Sequence, residues 1–252
     1  MLSGIFAFGW IVLPGFGAID LTVTWDPDWP QVLEAGWGLY FTVVVGVPFV
    51  VAAARQRAAA PGTAQLAVAA FALAVSGVLA RERGVLVLAA TAVLGAAVVR
   101  DLTRDVPRPP RRGLSMPLLA LAAIGAVPWL AYALDMWALN RQELVETDIT
   151  NSIDHYSVQG ALGLALAVLP ALAAARADLR PFVPVCAGVA ASYLGLVSFA
   201  WEDAAGGFGR AWSAAAIAWG AALAAVALVD RARTSRAESS AHSMRVRVTR
   251  SP

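Results

Sequence analysis

Long apolar runs recur along the whole chain, and almost every charged residue lies in the short segments between them. The first run covers Leu2 to Asp20 and is interrupted by Pro14 and four glycines. The others cover Ala35 to Ala54, Gln65 to Ala80, Val85 to Val99, Pro117 to Leu139, Val158 to Ala175, Phe182 to Ala200 and Ala211 to Val229. A helix of about 20 residues, rising 1.5 Å per residue, crosses a hydrocarbon core of ~30 Å. The pattern therefore predicts an all-α polytopic membrane helix bundle of about eight transmembrane helices, or seven with the first run re-entrant. The third and fourth runs, joined by the turn RERG, must return as an antiparallel hairpin, and their length is near the lower limit for spanning. The first run starts where a secretory signal would, yet it has no basic n-region and no A-x-A site, so it reads as a helix.

The polar segments organise the rest. Leu21 to Glu34, rich in Trp, Asp and Pro, reads as an interfacial loop, and Asn140 to Gln159 reads as an outward-facing one. The proline-rich connector Arg100 to Arg112 cannot be helix throughout and divides the chain. Residues 1–229 then form a transmembrane domain, with 230–252 as a disordered basic cytoplasmic tail. Possible halves are 1–105 and 116–229: Glu34, Pro48 and AAAR ending at Arg55 resemble Asp154, Pro170 and AAAR ending at Arg176, and Glu82 resembles Glu202. Four helices in each half would make the repeat parallel, related by an axis along the membrane normal.

Composition agrees with lipid as the solvent. Hydrophobic residues make up 59% of the chain and mean hydropathy is +0.67, against about 45 to 50% apolar residues in soluble domains. A net charge of +2 and a pI near 9.1 do not point to nucleic acid, because no aromatic-studded basic surface accompanies them. Lysine is absent, which excludes a retinal Schiff base, and the lone Cys186 excludes an intrachain disulfide or thiolate cluster. Charge placement sets an orientation. Of the arginines, only Arg81, Arg83, Arg141 and Arg210 fall at one end of the predicted helices, so the other end is cytoplasmic, with both termini there, in a multi-pass protein of the plasma membrane. Trp25, Trp29, Trp37, Trp137, Trp201 and Trp212 all fall at the opposite, outer boundary and read as an aromatic belt.

The acids lean outward, which insertion rules do not explain. Asp20, Asp135, Asp154, His155 and Glu202 are the ligand- or ion-binding candidates. Carboxylates with one imidazole suit a cation, and an ionisable group such as Asp135 within an apolar run is a functional hypothesis by default. Asp135, Asp154 and His155 should lie close together, with Asp20 and Glu202 near the same rim. No motif names a reaction. Asp154, His155 and the serines beside them lack a nucleophile elbow, and no helical histidine pair or phosphate loop is present, so no catalytic residue and no cofactor is assigned and an enzyme is the less favoured reading. Gly188, Ser192, Gly195, Ser198 and Glu202 share one helix face, either for close packing or as a polar pathway. The function read from this is a small transporter or ion- or proton-conducting protein with an acidic outer mouth. The alternatives are a non-catalytic accessory subunit that binds a membrane partner or a second copy of itself, and an outer-face enzyme or metal site at Asp154 and His155.

Overall fold

Inside lipid, backbone N–H and C=O groups must be satisfied within a helix or a closed barrel, so apolar runs of this length become helices. The computed structural model describes residues 2–12, 17–54, 59–102, 113–142, 149–150 and 152–248. It is a helix bundle: α1 (Leu2–Val12), α2 (Gly17–Val23), α3 (Gln31–Ala54), α4 (Ala59–Leu79), α5 (Arg83–Leu102), α6 (Met116–Asn140), α7 (His155–Ala175), α8 (Val183–Ala200) and α9 (Gly209–Val248). The antiparallel pair β1 (Ile149–Thr150) and β2 (Ile153–Asp154) precedes α7. Among the described residues seven helices, α3 to α9, are long and apolar enough to cross a membrane.

In the first apolar run the described residues form α1 and α2, and Pro14 lies outside the described residues. Both helices lie along α3 in antiparallel register. Phe6 stacks on Phe49 at 5.4 Å and Trp10 on Phe41 at 5.8 Å. Gly46 of α3 faces Ile11, and Gly38 faces Gly17 and Leu21 of α2. With 11 and 7 residues, α1 and α2 are each shorter than a membrane crossing requires, so among the described residues the spanning helices number seven. The third and fourth runs are longer than the apolar pattern implied: α4 has 21 residues and α5 has 20, about 30 Å each.

Hairpins form between chain neighbours, α4 with α5, α6 with α7 and α8 with α9, while α7 touches α3, α4, α6 and α8 and so stands at the centre. Its residues from His155 to Ala167 are all buried, as are those of α3 from Gln31 to Leu39. Between Tyr40 and Gly46, α3 widens into a π-helical segment. Pro48 has no N–H to give to the Val44 carbonyl. The buried Gln65 of α4 replaces it, its Nε2 donating to Val44 O at 3.0 Å and to Val43 O at 3.3 Å.

Two expectations are corrected at the ends of the bundle. Trp37 and Trp137 do not belong to an interfacial belt: both are buried, the first against Phe41 and the second donating to Ser76 Oγ at 2.8 Å. The segment from Asp230, expected to lack regular structure, continues α9 to Val248. It contains neither proline nor glycine to stop a helix once one is under way.

Candidate functional site

Buried polar side chains gather at the end of the bundle opposite the arginine-rich segments, where α3 and α7 begin. Asp154 starts α7 as its N-cap, accepting from Tyr156 N at 2.9 Å, and Ser157 Oγ returns a bond to the Asp154 carbonyl at 2.6 Å. That cap satisfies an orphan N–H and turns the chain inward. His155 is consequently inside the protein, at 0% exposure, and not on an outward-facing loop. Its ring lies 4.3 Å from the Trp37 ring at 20°, and Nε2 is 2.8 Å from Thr150 Oγ1. The loop reading fails from His155 onward because His155, Tyr156, Ser157 and Gln159 are all buried at the start of α7, His155 against α3 and Gln159 against α3 and α6. Residues 143–148 and Asn151 of that loop lie outside the described residues.

One turn along α7, Gln159 closes the junction between helices. Its Nε2 donates to Val32 O of α3 at 3.2 Å and to the Tyr132 hydroxyl of α6 at 2.6 Å, and that hydroxyl donates to Gly206 O at 2.8 Å. The carboxamide fits because Gly36 has no side chain at the point of contact. Its oxygen, Gln159 Oε1, is buried and accepts no hydrogen bond. Trp137, Ser76 and Ser157 form a second link: the indole donates to Ser76 Oγ, which donates to the Ser157 carbonyl.

Glu34, in the first turn of α3, is 3% exposed. Residues three apart share a helix face, so Glu34 lies on the side of α3 from which Trp37 meets His155. Asp20 is buried on α2, which packs against α3 at Gly38, one turn from Glu34. Asp20 and His155 thus lie against α3, with Asp154 capping α7 beside His155. Glu34 and Trp37, read in the sequence as a repeat landmark and a belt residue, join them, and Gln159 and Tyr132 are residues passed over in the sequence. The legible signal for Gln159 was polarity out of place, one turn after His155 inside an apolar run. Among the described residues no three His, Cys, Asp or Glu side chains are grouped to hold a metal ion.

Asp135 and Glu202 do not join this group. Glu202 lies in the exposed turn before α9 and pairs with Arg210, Nε to Oε2 at 2.7 Å. Asp135 is on the exposed side of α6, in a crevice of about 310 Å³ whose lining includes neither Asp154 nor His155. No arginine among the described residues pairs with it: Arg141 donates instead to the Leu79 carbonyl at 2.6 Å. The small-residue face of α8 serves packing. Gly188 and Gly195 lie against the backbone of α9, Ser192 Oγ donates to Ile217 O at 3.1 Å, and Ser198 Oγ accepts from Phe208 N at 3.0 Å.

The chain matches no protein-family model, no curated protein and no solved structure.

Proposed function

We propose that this membrane protein moves a cation, in the first place a proton, through the polar junction of α3 and α7. The observation that carries the reading is the enclosure of two ionisable side chains, Glu34 at 3% and His155 at 0% exposure, at the ends of the two central helices. Ionisable groups inside a membrane bundle are costly and commonly mark ion or proton pathways. Asp20 and Asp154 extend the polar path toward the end of the bundle, and the π segment and Pro48 supply irregular backbone partway along α3.

Two features of the architecture support this use. In the proposed duplication, residues 1–105 would contribute α1 to α5 and residues 116–229 would contribute α6 to α9, with α3 corresponding to α7 and α4 to α8. The contacts between halves are reciprocal as a two-fold axis requires, since α3 packs on α8 while α4 packs on α7, and α3 meets α7. Glu34 and Asp154 would be equivalent positions, placing the polar site on the axis, where repeat-built transporters bind their substrates. The orientation follows the arginines, with both termini in the cytoplasm and the polar junction near the outer face of the plasma membrane. Reporters fused after Arg57 and after Pro252 should therefore both read cytoplasm, and one inserted within residues 143–152 should read outside. A periplasmic reading at Pro252 would overturn the orientation.

The function is tested by reconstituting the protein into liposomes that enclose a pH-sensitive dye and imposing a potassium diffusion potential with valinomycin. Wild type should pass protons faster than protein-free liposomes, and Glu34→Gln, which keeps shape and hydrogen-bonding capacity without the titrating charge, should lower the rate about tenfold or more. Flux equal to that of empty liposomes for protons, sodium and potassium alike, or flux unchanged in Glu34→Gln, would remove the reading.

A further inference from the structure

The crevice between α6 and α9 has its own chemistry: it shares with the α3–α7 junction only Tyr132, and it does not depend on the function proposed there. Trp129, Tyr132, Phe208 and Trp219 form a continuous aromatic cluster, with ring centroids 5.2 to 6.1 Å apart in edge-on or tilted pairs. Two of their polar handles are committed elsewhere: the Tyr132 hydroxyl bonds Gln159 and Gly206, and Trp219 Nε1 donates to Leu121 O at 2.8 Å. These two residues therefore offer the crevice ring surface alone. Trp212, 61% exposed, adds a further ring at the rim. The one charged lining residue is Asp135, and no arginine or histidine lines the space.

A carboxylate among aromatic faces, without a basic side chain beside it, selects a cation, and ring surfaces select one whose charge is spread over alkyl groups. Shape narrows the class further. The lining runs from Asp135 down α6 to Ile124, eleven residues or about 16 Å along the helix, and Ile124 is among the most exposed apolar residues, on the surface that faces lipid. Pro128 lies in the same wall and cannot donate to the Ile124 carbonyl, so an acceptor is left on that stretch of backbone. We propose that this crevice binds the substituted ammonium group of an amphiphile, with Asp135 as counter-ion, the rings as walls, and the alkyl chain extending along α6 toward lipid.

The test uses the full-length protein in a maltoside detergent, which carries no charge, and native mass spectrometry to count bound probe. The probes are dodecyltrimethylammonium and an uncharged analogue of equal chain length ending in a tert-butyl group. Wild type should retain the cation about tenfold better than the isostere, Asp135→Asn should abolish that preference, and Trp212→Leu should weaken it several-fold. Trp212 is exposed, so its replacement keeps the test usable should Asp135→Asn fail to fold. A second arm compares phosphatidylcholine with phosphatidylglycerol of the same chains. Selective retention of phosphatidylcholine identifies a lipid headgroup as the occupant, and retention of the soluble cation alone identifies a free amphiphile; both uphold the ammonium site. Equal binding of cation and isostere by wild type, or a preference that survives in Asp135→Asn, would overturn it.

Discussion

Replacing Gly188 by valine should destabilise the protein by about 3 kcal/mol, the larger of the two effects expected from single substitutions. At this position α8 and α9 touch through their backbones. A side chain on Gly188 would enter contact distance of the Gly220 carbonyl oxygen, and one on Gly220 would meet the Gly188 carbonyl and Ser192. The obstruction at Gly188 is backbone and not the flexible end of a side chain, so relief requires the helices to separate. Separation is costly here because lipid tails are as apolar as the helix surfaces, leaving close packing and interhelical hydrogen bonds to hold the pair. It would also break the bond from Ser192 Oγ to Ile217 O, one turn away. The measure is the thermal midpoint in detergent, followed by loss of the monodisperse species on size exclusion. Val189→Ala is the comparison, since Val189 is exposed on the same helix and should change stability by less than about 0.5 kcal/mol. Similar midpoints for the two variants would mean that the α8–α9 contact is not close.

The helices themselves were legible in the sequence, because a ~30 Å apolar slab imposes a run length that composition displays directly. The predicted run Pro117 to Leu139 became Met116–Asn140, and Phe182 to Ala200 became Val183–Ala200. Ends were missed where polar residues belong to a helix: α3 begins at Gln31 and α7 at His155, each with buried polar side chains in its first turns. What apolar patterning could not convey is which way a side chain points. In water an exposed face is polar, but in lipid Ile124 and Val127 are exposed while Leu162 and Leu166 are buried, and the residue types are alike. Asp135 was therefore recognisable as an ionisable residue in an apolar run, while its direction, into the α6–α9 crevice and away from His155, was not. The same ambiguity put Trp37 and Trp137 in a belt. Position along a helix suits a tryptophan to the headgroup layer, but Ser76 Oγ and the His155 ring are partners that only the packed bundle supplies.

Gly36→Ala should cost about 2 kcal/mol, and nearly all of that cost should vanish in a Gln159→Ala background. A Cβ at Gly36 would occupy the position of the Gln159 carboxamide, forcing that side chain away from Val32 O and the Tyr132 hydroxyl. The lost hydrogen bonds explain only part of the effect, since those between transmembrane helices average about 0.6 kcal/mol each. Most of it comes from displacing a fully buried side chain wedged between α3, α6 and the Gly206 turn, with no cavity prepared to receive it. Gln159→Ala alone should cost about 2 kcal/mol or more, as it opens a void and leaves the Val32 carbonyl without its side-chain donor. Once that void exists, the methyl of Gly36→Ala has somewhere to go, so the double variant should resemble Gln159→Ala to within about 0.5 kcal/mol. The resulting coupling of about 1.5 kcal/mol, read from the four thermal midpoints in one detergent, lies in the range expected of residues in direct contact. Additive costs would show that Gln159 does not lie on Gly36, and with that the tie between α3 and α7 around the buried Glu34 and His155 would be lost.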